Sequence, residues 1–431
     1  MTGPRMKLLG GLFASLFSTA GLSESQREPL PSPLTLEQAL TLADRSHPDR
    51  ELADAALQMA RAELAGVEAD DDLQVDFTAA LSAVDPSPNA VDQSSNDSWA
   101  RLRLSKLLHD FGRTERTRAA ADARQQGRQW HLLDVRQQRY LQVMARFFDV
   151  LLADLEYARD NEAMATAFVS LDRARGRSEL GQLSDIELLE LENRYQQARR
   201  RMAGSQNRQR ISRSLLAISL NRPDDLPGEL DYPAEDAAYQ QEEIELLVQR
   251  ILAGNPGLRA LRAEVESAEQ RLWAADAEGN PLLRGELAAA SYNRQLGGRN
   301  PLSAGLVLEL PLFDGSRVEA KKALQRARLR EQRARLAAHE LDLRQQLLEN
   351  WLELQRLRIR REELAVTGDF RDLYLERSRS LYDLEVASDL GDSMVRIADL
   401  HLQQAENDFQ IRLLSARLDA LAGRLLPDET R

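Results

Sequence analysis

Two short stretches, LSKLLHDFGR at residues 104–113 and LELPLFDGSR at residues 308–317, interrupt the chain in the same way. Leu104 corresponds to Leu308, Leu108 to Leu312, Asp110 to Asp314 and Arg113 to Arg317, always at an offset of 204 positions. Each closes a run of alternating apolar residues and is followed by a long stretch free of proline. Gly112 in the first copy, and Pro311 and Gly315 in the second, supply the change of direction. Proline ends a strand because it has no amide for the ladder, and glycine lets the backbone swing into the next element. A constant offset across such a motif predicts a duplicated unit.

Upstream of each motif lies the same series of elements. LTLEQALTLADRSHPDRELADAALQMARAELAGVEAD (34–70) reads as an amphipathic helix pair broken at Pro48, and residues 243–279 repeat it with the break at Pro256. Residues before proline avoid the helical region, which accounts for both breaks. In LQVDFTAALSAV, the residues Leu73, Val75, Phe77, Ala79 and Leu81 alternate with polar or small ones. Period two predicts a strand with one apolar face, on which Phe77 and Leu81 oppose Gln74 and Thr78. A second strand is expected near 98–108, and the other copy offers strands at 282–292 and 302–310. Four strands in two hairpins are too few to close a barrel.

Downstream, residues 114 to about 171 and 318 to about 375 read as long helices, with Leu133, Tyr140 and Phe147, and likewise Met144 and Leu151, at seven-residue spacing. That spacing is the seam a packed neighbour helix requires. Turns near Gly181 and Asp389 reverse each helix into a shorter one, about 184–220 and 389–421. One returning helix stacked end to end with one opening helix matches a long helix in length. The expected organisation is therefore a first repeat at 24–222, a proline-rich junction at 223–240 and a second repeat at 241–425.

The 431 residues carry a formal net charge of −12, against nucleic acid as a partner, since phosphate binding needs a basic surface. Residues 1–23, with Arg5 and Lys7 before an apolar run and small residues at the end, read as a secretory signal peptide. With no cysteine there is neither a disulfide nor a lipid-attachment thiol. No later run reaches about 18 apolar residues, so a helical span is not expected, whereas barrel strands remain open. The five histidines are scattered without paired spacing, and no phosphate loop or nucleophile elbow occurs. No catalytic residue, cofactor or metal site is expected.

The duplicated order of helix pair, hairpin, long helix and returning helix, with the junctions LLHDFGR and LPLFDGSR and the turn ELGQLSDIELLELE, resembles the outer membrane efflux protein family, the TolC-like outer-membrane factors. The resemblance covers nearly the whole mature chain. It implies a mainly α fold with a small β part, in which duplicated coiled-coil helices and two β-hairpins form a homotrimer: an α-helical tunnel beneath a shared twelve-stranded β-barrel. It further implies a location in the outer membrane, extending into the periplasm, and passive small-molecule export with a periplasmic adaptor (membrane fusion) protein and an inner-membrane transporter. By the same resemblance, Asp389 and Asp392, with Glu187 of the first turn, mark the periplasmic tunnel entrance, and Gly181, Leu183 and Ser184 the adaptor contact. The strand-to-helix junctions comprise Asp110, Gly112, Arg113, Pro311, Asp314, Gly315 and Arg317. The sequence departs from the family where Glu385 replaces the turn glycine at the second tip, where DDD at 70–72 opens the first strand, and in its low aromatic content of 5%. Trp99 and Tyr292 are the candidates for a membrane-interface girdle. Type I protein secretion, or a periplasmic coiled-coil scaffold without a pore, are the alternative functions.

Overall fold

The computed structural model describes residues 29–45, 47–232, 243–294, 296, 298–384 and 389–426. Residues 1–23, expected from the sequence to be a signal peptide, and Glu385 lie outside them. The first repeat runs β1 (Leu34–Thr35), α1 (Leu36–Arg45), α2 (Pro48–Asp70), β2 (Gln74–Ala80), β3 (Trp99–His109), α3 (Arg113–Glu179) and α4 (Asp185–Ser219). After β4 (Leu230–Asp231) the second follows as α5 (Ile244–Gly254), α6 (Pro256–Asp276), β5 (Leu282–Tyr292), β6 (Leu302–Glu309), α7 (Arg317–Asp383) and α8 (Leu390–Leu421).

Pro48 and Pro256 each open a helix, at the position where a missing amide costs nothing. Asn255 caps α6 by accepting from the amide of Leu258 at 2.9 Å. Both long helices run further than the expected ends near 171 and 375: α3 and α7 have 67 residues each, about 100 Å at ~1.5 Å per residue. Apolar periodicity fades before the helix does. The polar residues that follow keep helical propensity and are held by a neighbour, as in the Arg175–Glu192 pair between α3 and α4 at 3.6 Å.

α3 packs against α4 and α2, while α7 packs against α8 and α6. A returning and an opening helix thus together line each long one. The repeats also interlock, since α3 contacts α6 and α8 of the second repeat. Gly127 allows the α3–α6 approach, where an added Cβ would lie 3.3 Å from the Ala260 carbonyl oxygen. Two core clusters result. One gathers Leu34, Leu40, Val143, Phe147, Val150 and Leu216, with Tyr140, Met144 and Leu151 of the expected seam packed on it. The other gathers Leu247, Ile251, Leu347, Leu354, Leu414 and Leu418. Val143 and Val150 occupy the places of Leu347 and Leu354 at the same offset of 204. The junction between repeats is more than a tether: β4 pairs in parallel with β1, Leu34 against Leu230.

Candidate functional site

The remaining strands form one antiparallel sheet in the order β2-β3-β5-β6. Directly paired residues point to the same face. The rows Val75–Leu104–Leu287–Ala304 and Phe77–Leu102–Ala289–Leu302 make one face apolar. On the other face lie Gln74–Ser105–Glu286–Gly305, Asp76–Arg103–Ala288–Ser303 and Thr78–Arg101–Ala290. Among the described residues nothing covers the apolar face: Phe77 is 70% and Leu302 73% exposed. β2 and β6 each pair on one side only among the described residues, leaving two open edges.

Two expectations about this sheet need correction. Trp99 and Tyr292 pair with each other on the polar face, not the apolar one, because they share the parity of Arg101 and Thr78. There the Arg101 guanidinium lies 4.8 Å from the Trp99 ring centroid and donates to the Tyr292 hydroxyl at 3.5 Å. Leu81 lies beyond the end of β2 at Ala80 and is 94% exposed. The loops at that end are tied together by Arg299–Asp97 at 2.7 Å.

At the opposite end, both junctions use one device. The Asp110 carboxylate accepts from the amides of Gly112 (3.1 Å) and Thr114 (2.6 Å), and Asp314 accepts from those of Ser316 (2.9 Å) and Val318 (2.7 Å). Each aspartate thereby satisfies first-turn amides of a long helix. The Val318 amide outweighs desolvation and, with that of Ser316, holds the Asp314 carboxyl below its ordinary range. Two successive residues then take the left-handed conformation: Phe111 and Gly112 at φ 52° and 91°, Gly315 and Ser316 at 66° and 67°. Glycine therefore fills a different place of the pair in each copy. Pro311 follows the end of β6, and Arg113 and Arg317 are the first residues of α3 and α7. Arg113 reaches Glu278 at 3.9 Å, and Arg317 is exposed.

The helical turns lie at the far end of the long helices. Gly181, at φ 69°, donates its amide to the Ser178 carbonyl at 2.9 Å, a left-handed helix end that suits glycine. Ser184 and Glu187 form a reciprocal capping box on α4, and both hydrogen bonds from Ser184 to the Glu187 carboxylate depress its pKa. Glu187 therefore has a local structural role. Leu183 is half-buried, whereas Leu180, Ile186 and Leu189 are exposed around it, an apolar tip that the sequence reading overlooked.

At the second turn Asp389 precedes α8 but does not cap it. Its carboxylate instead reaches back to α7, accepting from the Tyr374 hydroxyl at 2.5 Å and the Ser378 hydroxyl at 2.8 Å, and these bonds lower its pKa. Ser378 also meets Ser393 at 3.0 Å. Asp392, one turn along, is exposed.

α7 carries a second overlooked feature. Leu343, Leu347, Leu354 and Leu364 are buried within the chain, but Leu341, Leu348, Leu352, Ile359, Val366 and Leu373 form an exposed stripe at heptad-like spacing. Such spacing marks a seam for another helix. Among the described residues no helix is long and apolar enough to cross a membrane, and no group of His, Asp or Glu is placed to hold a metal.

Residues 247–382 match the outer membrane efflux protein family. That stretch, about a third of the chain and within its second repeat, is similar to an outer membrane efflux protein domain. No curated protein sequence matches it. Solved structures of similar fold include the CmeC outer membrane channel of Campylobacter jejuni, at TM-score 0.74 and 15% identity over 92% of this chain and 87% of that one. The outer membrane protein VceC of Vibrio cholerae aligns at TM-score 0.72 and 15% identity, over 90% and 96% of the two chains. The open-state MtrE outer membrane channel of Neisseria gonorrhoeae gives 0.69 and 17%, over 90% and 89%. Because these alignments cover 90% or more of the chain, the likeness of fold extends over both repeats. The family is one of efflux proteins, not of enzymes.

Proposed function

We propose that three copies of the chain assemble into a passive outer-membrane duct of a tripartite efflux system. The observation that carries this reading is the four-stranded sheet, with its apolar face uncovered and both edges open. Covering a large aliphatic or aromatic side chain is worth about 1.5–3 kcal/mol, and unpaired edges invite further strands. Three sheets joined β6 to β2 give twelve strands in a closed barrel, with lipid on the apolar face and water on the Arg101–Arg103 face. The exposed α7 stripe supplies the matching helix seam between copies, and the helices extend as a tunnel into the periplasm. Its entrance lies at the α7–α8 turn, where Asp392 faces the mouth and Asp389 holds the hairpin to α7. The first tip, with Gly181, Leu183 and Ser184 among exposed Leu180, Ile186 and Leu189, receives a periplasmic adaptor that links the duct to an inner-membrane pump. Small molecules are the cargo, as the efflux family match favours.

Fractionation, heat-modifiable electrophoresis and planar-bilayer conductance test this reading. A heat-labile trimer in the outer-membrane fraction that forms discrete channels is expected. A soluble periplasmic protein without conductance would refute it.

A further inference from the structure

Where the repeats meet, α2, α3, the α5–α6 boundary and the turn after α8 line a half-open pocket of ≈ 550 Å³. Its charged wall consists of Arg61 from α2, Arg136 from α3, Arg259 from α6 and Arg424 after α8. Among the described residues lining it none is acidic, although the chain has 69 acidic residues against 57 basic ones. Arg424 is paired with Asp419 and Arg259 donates to the Ala253 carbonyl at 3.3 Å, so the four guanidiniums do not simply repel one another; together they give the pocket a positive lining that attracts an anion. The floor is apolar, with Leu57 and Leu133 buried, and Trp130 carries the Arg259 guanidinium 4.5 Å from its ring centroid.

The wall is also rigidly built. An added Cβ at Gly254 would lie 2.5 Å from the Ala422 carbonyl oxygen, and one at Gly423 would lie 2.7 Å from that of Gly254. The end of α8 therefore docks against the α5–α6 turn with no room for a side chain. Asn255 seals the contact by donating to the Leu421 carbonyl at 2.9 Å, and Asp419 holds Arg424 at 3.2 Å.

We propose that this cavity binds a small amphiphilic anion, a carboxylate or phosphate on an aromatic or aliphatic body. Guanidinium forks match the planar or tetrahedral oxyanion, Trp130 stacks on the body, and the volume is that of an ordinary small-molecule site. Trp130 lies 17 residues along α3 from Arg113, about 26 Å at ~1.5 Å per residue. A lipid headgroup beside the sheet does not reach so far, so the ligand is soluble. The pocket lies within one chain, and only the exclusion of a lipid ligand rests on the channel reading.

Calorimetric titration of the full protein in neutral detergent, with 4-nitrophenyl phosphate and the uncharged 4-nitrophenyl glucoside as probes, tests the site. Saturable binding of the phosphate is expected, about tenfold or more tighter than the glucoside and weakened by salt. An Arg61→Gln, Arg259→Gln double variant should lose about tenfold or more in affinity, Trp130→Phe should abolish ligand-dependent quenching, and Arg200→Gln on α4 should change nothing. The heat-induced transition of each variant, followed by circular dichroism, reports whether it remains folded. Equal affinity for the two probes, absence of binding, or undiminished binding in the folded double variant would overturn the proposal.

Discussion

Leu287 offers the sharpest test of which face of the sheet meets lipid. It is the sixth of eleven residues in β5 and pairs with Leu104, the sixth of eleven in β3. Eleven residues at ~3.4 Å span about 37 Å, and a strand tilt of ~40° reduces this to about 28 Å, close to the ~25 Å apolar band of an outer-membrane barrel. Leu287 thus sits at the midplane. Arginine there should cost about 2–4 kcal/mol per chain, or roughly 6–12 kcal/mol for three, comparable to the whole stability of a typical domain. Phe77 pairs two residues nearer the strand end and should cost less, while Leu81, beyond β2, should cost about 0–1 kcal/mol. Ala288→Arg is the control, at the same depth on the polar face. It places a charge opposite Arg103, a like-charge penalty of about 0.2–1 kcal/mol that is well below the lipid term. Melting of the trimer band on electrophoresis, with trimer abundance in the outer membrane, should rank the variants Leu287→Arg, Phe77→Arg, Ala288→Arg, Leu81→Arg from worst to mildest. If Ala288→Arg were as damaging as Leu287→Arg, or Leu81→Arg more so, the assignment of faces would be wrong.

Four further outcomes follow from the junctions and tips. Ser316→Gly relieves a left-handed non-glycine residue, about 1–2 kcal/mol, against an unfolded-state entropy cost of about 0.4–1 kcal/mol; thermal unfolding should therefore shift upward, and a downward shift would refute the strain argument. Gly391→Ala places a Cβ 2.6 Å from the Thr166 Cγ2, so it should destabilise by about 1–3 kcal/mol and be partly rescued by Thr166→Ser, whereas an unaffected unfolding midpoint would contradict the close α3–α8 approach. Asp389 has a depressed folded-state pKa, so its contribution is full above the ordinary carboxylate pKa and disappears as pH falls through the folded value. The amide protection factor at the start of α8, corrected for the intrinsic pH dependence of exchange, should accordingly fall in acid in the native protein but change little with pH in Asp389→Asn. Leu183→Asp should abolish adaptor cross-linking and drug resistance while trimers still form; normal resistance would exclude the first tip as the contact.

The duplication, the helix breaks at Pro48 and Pro256 and the existence of every principal strand and helix were legible in the chain alone, because proline, glycine and period-two alternation act within a few residues. The paired aspartates at 110 and 314 were visible as a motif for the same reason: their hydrogen bonds reach only two and four residues ahead. Register was not so accessible. Trp99 and Tyr292 look like membrane-interface aromatics until the pairing of β3 with β5 assigns them to the polar face, and one residue of slip would reverse that result. Nor does any local pattern bring Arg61, Arg136, Arg259 and Arg424 around one cavity, since they are scattered over most of the chain. Helix positions and turns follow from short-range sterics and hydrogen bonding. Faces, the Asp389–Tyr374 contact and the arginine cavity depend on how rigid helices and strands from distant segments pack, and only the tertiary structure decides that.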